Sequence, residues 1–320
     1  MYYPYFRGKQ FELLCIKENA QSLFSDGRVV PIIEPVKRNL APLKRALAAI
    51  NGVNGARCIL IVNPAVGELK SAQGASEIED VLASTDFISS SIVPAFIVSS
   101  EVSIESIEYF LDTFHQKQYP TVALINLGYP RAGCLAELIR GREHIHIFDH
   151  EKCQQRYRAK FKGISQETVI LRDGFTKRQT NQEYANVPDE FFSDSSITYD
   201  LEFKGFGDYL NIGKDFSESG GPAYSIAIHL TWPNRGDENA IYISHYVSVS
   251  NPKFAGNVAG KFHEALSRLM ESPEEKKKFL RTEGFRELEE IFERKDFRGL
   301  GYLKKLTMLH HIETVKSSMK

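Results

Sequence analysis

Through the first half of the chain, short unbroken apolar runs alternate with longer segments whose apolar residues recur at helical spacing. Residues 8–24 (GKQFELLCIKENAQSLF) set Phe11, Leu14, Cys15 and Leu23 on one broad face, which predicts a helix. GRVVPIIEP then reads as a short buried strand stopped by Pro35. NLAPLKRALAAI reads as a helix with Asn39 as its cap and Gly52 as its stop. The same grammar repeats. ARCILIVNP is a strand and ASEIEDVLAST a helix; SIVPAFIVSS is a strand and SIESIEYFLDTFHQ a helix capped by Ser103. PTVALINLG is a strand and GCLAELIRG a short helix. EHIHIFD and ETVILRDG are strands, with the basic, helical EKCQQRYRAKFKG between them.

Continuous Val, Ile and Leu content predicts strands buried on both faces, which is how parallel strands read, and their spacing suits right-handed crossover units. A (β/α)8 barrel and an open doubly wound sheet both fit, and no G-x-G-x-x-G follows the first strand. Strand candidates at 197–204 (ITYDLEFK) and 223–231 (AYSIAIHLT) bring the count to eight, which favours a TIM-like barrel. The pattern changes after Asp173. Residues 174–196 are polar, and FKGFGDYLNIGKDFSESGGPA reads as a long glycine-rich loop. WPNRGDENA joins SIAIHLT to IYISHYVSV as a hairpin, and residues 257–315 are helical. The expectation is one α/β domain over 1–320: an N-terminal helix in 1–28, a barrel core with hairpin insertion in 29–256, and a helical C-terminal cap in 257–320.

Composition narrows the classes. The 320 residues are 42% hydrophobic and 25% charged, with 40 basic against 41 acidic side chains and a formal charge of −1. That is ordinary for a globular chain with a real core and carries no chain-wide footprint for nucleic acid or anionic lipid. No apolar run is long enough to span a bilayer, and MYYPYFRGKQFE lacks the pattern of a signal peptide. Cys15, Cys58, Cys134 and Cys153 are scattered, so reduced thiols in a cytoplasmic protein are expected.

EHIHIFDHEK (143–152) raises the question of a metal. Alternation along a strand puts His144, His146 and Phe148 on one face and Ile145, Ile147 and Asp149 on the other, so the aspartate and the first two histidines cannot meet at one ion. Nothing nominates a third ligand. The reading is no metal, with imidazoles hydrogen-bonding between the strand and its covering helices.

A recurring feature lies at the strand ends. Apolar runs close on Glu34, Asn63, Asn126, Asp149 and the pair Arg172–Asp173, each before a Pro, Gly or helix start. In parallel α/β folds such ends gather round one crevice. There a carboxylate can serve as acid or base, and Arg172 can hold a phosphate. Asn and Asp also end strands as caps and turns, which is the simpler account of each position alone. His229, late in IAIHLTW, joins Glu34, Asp149 and Asp173 as a catalytic candidate. Arg7, Lys9, Asn63, Asn126, Arg172, Asp208 and Tyr209 are the ligand-binding candidates, the last two on a glycine-flanked loop.

YYPYFRGKQFELL, PIIEPVK, ILIVNP, GFGDYLNIGKDF, AIHLTW, ISHYVS and AGKFHEAL together resemble a bacterial family related to the beta proteins of phages and prophages. The resemblance runs from residue 2 to about 310. It implies a (β/α) barrel-like domain, a phage-conflict setting and a small companion protein encoded alongside; it implies no reaction and no cofactor. Two functions are then expected to compete. One is a barrel that binds or processes a phosphate-bearing small molecule or nucleotide. The other is a catalytically silent sensor that pairs with a companion effector through an apolar stripe of Phe285, Leu288, Ile291, Phe292, Leu303, Leu306 and Leu309. Nucleic-acid binding through QQRYRAKFKG is weaker, since an exposed crossover-helix face gives the same mixture of basic and aromatic residues.

Overall fold

The computed structural model describes residues 1–84, 91–165, 167–199, 202–218 and 220–319. Eleven strands are found among them: β1 Tyr2–Phe6, β2 Ile32–Ile33, β3 Cys58–Ile61, β4 Ile92–Val98, β5 Val122–Asn126, β6 His144–Asp149, β7 Glu167–Arg172, β8 Asp189–Ser193, β9 Gly205–Asp208, β10 Ala227–Asn234 and β11 Ala240–Val247. β1 to β7 and β9 form a closed barrel, every neighbouring pair parallel, with β1 bonded to both β2 and β9. β10, β11 and β8 make a separate antiparallel sheet.

Helices alternate with the barrel strands as their periodicity demands: α1 Gln10–Phe24, α2 Ala41–Asn51, α3 Ala72–Ala83, α4 Ile104–Gln116, α5 Ala132–Ile139 and the short α6 Gln155–Arg158. Ser103 accepts from the Ser106 amide and caps α4, whereas α2 starts from Leu40 without a side-chain cap, the expected cap Asn39 making only a turn contact to the Ala41 amide. Phe96 of β4 packs on Phe110 of α4, and His146 and Phe148 of β6 pack on Phe161. Those residues therefore face the helices, and alternate positions line the barrel interior. Through the registers, Tyr5, Ile32, Ile59 and Val93 form one interior layer, followed by Ile61 with Ala95, Ala123 with Ile145, and Ile125 with Ile147.

The chain divides into two compact units: Met1–Arg172 with Tyr199–Asp208, and Asp173–Thr198 with Tyr209–Lys320. The second unit holds the antiparallel sheet, the helical turn α7 Ser195–Thr198, and the helices α8 Val258–Met270, α9 Pro273–Lys278, α10 Glu283–Arg294 and α11 Leu300–Ser318. Its core joins Ile228, Leu230 and Tyr246 of the sheet to Phe262, Leu266, Phe285, Leu288, Ile291 and Leu306 of the helices. Burying each such side chain contributes about 1.5–3 kcal/mol.

Two strand expectations are corrected. Residues 195–198 form a helical turn rather than a strand, with 200 and 201 of that candidate outside the described residues. The strand expected within 223–231 exists, but it pairs in the antiparallel sheet. The barrel reaches eight strands through β1 and β9 instead, from segments whose tyrosines and glycines resemble a tail and a loop.

Candidate functional site

At the C-terminal ends of the barrel strands, Glu34 has both side-chain oxygens hydrogen-bonded. It follows β2 on the interior face and has 0% exposure. One oxygen accepts the Ala65 amide at 2.7 Å. The other accepts the Tyr5 hydroxyl at 2.7 Å and the guanidinium of Arg7. Gly8 makes this approach possible: its φ is +61°, and a Cβ there would lie 2.8 Å from the Glu34 carbonyl oxygen. With both oxygens engaged, Glu34 anchors Arg7, whose side chain stays 15% exposed. Lys9 is half-buried next to α1. A cavity of about 570 Å³ adjoins Gly8, and Lys17, Lys37 and Arg45 line it; nothing in the strand-end pattern pointed to these three.

Asn63 and Asp149 also lie on interior positions, two residues beyond Ile61 and Ile147. Asn63 is consumed by the sheet: its amide accepts from the Ile97 N–H at 2.7 Å and donates to the Ile97 carbonyl at 3.0 Å, extending the β3–β4 ladder. Asp149 accepts the Lys152 amide at 2.8 Å, forming a turn. Asn126 faces the helices. Its carbonyl accepts from the Gly128 amide at 3.0 Å and the Tyr157 hydroxyl at 2.9 Å, while its nitrogen lies 3.1 Å from His146 Nε2. Arg172 and Asp208 are register partners at the ends of β7 and β9, and Asp208 accepts the Tyr2 hydroxyl at 2.8 Å. Burial first, then the charges of Arg172 and Arg158, lower the proton affinity of His150, with Asp149 and Glu151 opposing, so groups of both signs stand together at the end of β6 and β7.

Of the remaining candidates, Asp173, Tyr209 and His229 belong to the second unit. Asp173 accepts the Phe175 and Lys214 amides at 3.0 and 2.9 Å, tying two loops together. Tyr209 is buried and His229 half-buried in β10. Thus Glu34, Asn63 and Asp149 share the barrel interior, whereas Asn126 points to the helices and Asp173 is a loop tie.

His144 and His146 fall on the helix-facing side, as alternation predicts. His144 Nδ1 donates to the Arg142 carbonyl at 2.8 Å, and His146 stacks on Phe148 with ring centres 4.0 Å apart. Among the described residues no group of three or more His, Cys, Asp or Glu side chains is placed to hold a metal ion. None of the four cysteines is in a disulfide, and no described helix is long and apolar enough to cross a membrane. The segment 154–163 buries Phe161 and exposes Arg156, Lys160 and Lys162, which is the sided pattern of a covering helix.

The fold defines a TIM-like α/β barrel protein with an antiparallel-sheet insertion and a helical C-terminal region. No protein-family model, curated protein or solved structure matches the chain.

Proposed function

We propose that this barrel binds a phosphate-bearing small molecule or nucleotide at the C-terminal ends of its strands, with Arg7, Lys9 and Arg172 supplying the positive charge. The observation that carries this reading is Arg7: a guanidinium held by a fully buried carboxylate yet still partly exposed. An arginine fixed in advance loses little rotamer freedom on gripping an oxyanion, and its fork matches two phosphate oxygens. Lys17 and Arg45 in the adjoining cavity support the same ligand class, while Lys37 there is paired with Glu68. In this reading Glu34 positions Arg7 instead of moving protons, because both of its oxygens are occupied. The resemblance to phage and prophage beta proteins supports a cytoplasmic setting in phage–host conflict, with a companion protein encoded alongside.

The alternative, a silent subunit docking an effector through the C-terminal stripe, loses the surface that motivated it. Phe285, Leu288, Ile291, Leu303 and Leu306 lie in the second unit's own core, and Phe292 packs against it. Calorimetric titration of the full chain with inorganic phosphate, adenosine monophosphate and adenosine triphosphate tests the proposal. Saturable binding that weakens with added salt is expected. The absence of both binding heat and thermal stabilisation with all three would contradict it.

A further inference from the structure

Four side chains of the second unit form one hydrogen-bonded line. His229 on β10 and His245 on β11 sit directly opposite each other in the ladder, with their Nδ1 atoms 2.7 Å apart. His245 Nε2 lies 3.0 Å from one oxygen of Glu190 on β8. The other Glu190 oxygen accepts from Arg178 at 2.6 Å. The sequence neighbours Ile228, Leu230 and Tyr246 enter the helix-packed core, so by alternation the two histidines occupy the opposite face of the sheet. There Phe175 and Tyr184 close over them, with ring centres 5.1 and 4.6 Å from that of His229.

The partners fix the tautomers. A carboxylate only accepts, so His245 donates from Nε2 to Glu190. Its Nδ1 is then the acceptor, and His229 must donate from Nδ1. His229 is left with a lone pair on Nε2. The His245 side chain has 0% exposure, whereas His229 is half-buried, so the line runs from an ion pair through a sealed imidazole to a half-buried one. This is the arrangement of a general base oriented through its second nitrogen.

We propose that His229 is the general base of a reactive site in the second unit, positioned by His245, Glu190 and Arg178, and that this site hydrolyses an uncharged ester. The aromatic walls suit an apolar acyl or aryl group. In the reaction, Nε2 of His229 takes a proton from water as the water oxygen bonds to the ester carbonyl carbon. The tetrahedral adduct then expels the alkoxide, which recovers that proton from His229. Ester and water become acid and alcohol, and no further reactant is required. The imidazolium formed in between is stabilised by Glu190 through His245. Burial, then His245, then the charge of Lys304, hold the resting His229 well below the ordinary imidazole range, so the base is neutral at pH 7. His245 is lowered mainly by burial, with Glu190 and Asp189 opposing and Arg178 assisting.

Hydrolysis of p-nitrophenyl acetate by the full chain is the test, with circular dichroism verifying the fold of each variant. Turnover above buffer should fall to the buffer rate in His229→Gln and, as a second variant, His229→Asn. Loss of a positioned base typically costs on the order of 100-fold or more. Glu190→Gln should lower kcat by about tenfold with KM little changed and move the acidic limb of the pH–rate profile, and Glu190→Asp should restore part of both. A folded wild type no faster than buffer, or His229 variants as fast as wild type, would overturn the assignment. An unmoved pH profile in Glu190→Gln would remove the positioning role.

Discussion

Glu34, one of the acid–base candidates of the sequence, has both of its carboxylate oxygens engaged within the fold. A carboxylate with 0% exposure that accepts from Tyr5, Ala65 and Arg7 cannot also receive a substrate proton without breaking one of those bonds. Glu34→Gln keeps the shape and removes the charge that balances Arg7. It should destabilise the protein by about 3 kcal/mol, the lower end for breaking a buried pair. In calorimetry that loss lowers Tm by roughly 6–12 °C for a unit of this size. A second residue couples stability to pH. His310 on α11 donates from Nε2 to the Thr231 carbonyl at 2.8 Å, and its Nδ1 accepts from the Thr282 hydroxyl at 2.6 Å. Burial pushes its pKa down to about 4, against the ordinary value of 6.5. The unfolded chain therefore takes up this proton first as pH falls. The contribution is fully present above 6.5 and is lost progressively towards 4, amounting to about 3 kcal/mol for a shift of that size. Urea denaturation at stepped pH checks the sign: His310→Gln should flatten the slope across that window, and an unchanged slope would exclude His310 as its source.

Among the elements, β9 explains what the sequence hid. GFGD has two glycines in four residues and reads as a loop, yet it completes the barrel between β7 and β1. The glycines are there because β1 lies close against them: a Cβ on Gly205 would meet the Tyr3 ring at 2.5 Å, and one on Gly207 would meet the Tyr3 backbone carbonyl oxygen at 2.2 Å. Gly207→Ala should thus cost about 1–3 kcal/mol by overpacking, measured as a shift of the urea midpoint at constant m. A neutral effect would mean that β1 and β9 are looser than the register implies. β1 escaped notice for a related reason, since YYPYF lacks β-branched residues and contains a proline. By contrast β3, β4, β5 and β7 announced themselves through their Val, Ile and Leu content, β6 through its alternation, and the hairpin through its turn residues. Burial on both faces is visible in composition; which sheet a strand joins is not, because β10 carries an apolar run as long as the barrel strands do. The same limit explains the site. Period-two alternation placed His144 and His146 correctly, but a strand-ending polar residue lies on either face according to where the strand stops. Hence Asn63 and Asp149 reach the interior while Asn126 turns to Tyr157 and His146.

At the level of the whole molecule, closure matters most. With β1 paired on both sides, the barrel presents no free strand edge, and eight strand ends converge on one rim. The formal charge of −1 gives no general pull on anions, so any anion binding has to come from local groups such as Arg7. Calorimetric titration of adenosine monophosphate into wild type, Arg7→Gln and Arg142→Gln isolates that contribution, because Arg142 pairs with Asp112 before β6 begins, at the other end of the strands. Affinity should fall at least about tenfold, 1.4 kcal/mol, in Arg7→Gln and stay unchanged in Arg142→Gln. Equal affinity in wild type and Arg7→Gln would contradict an anion site built on Arg7.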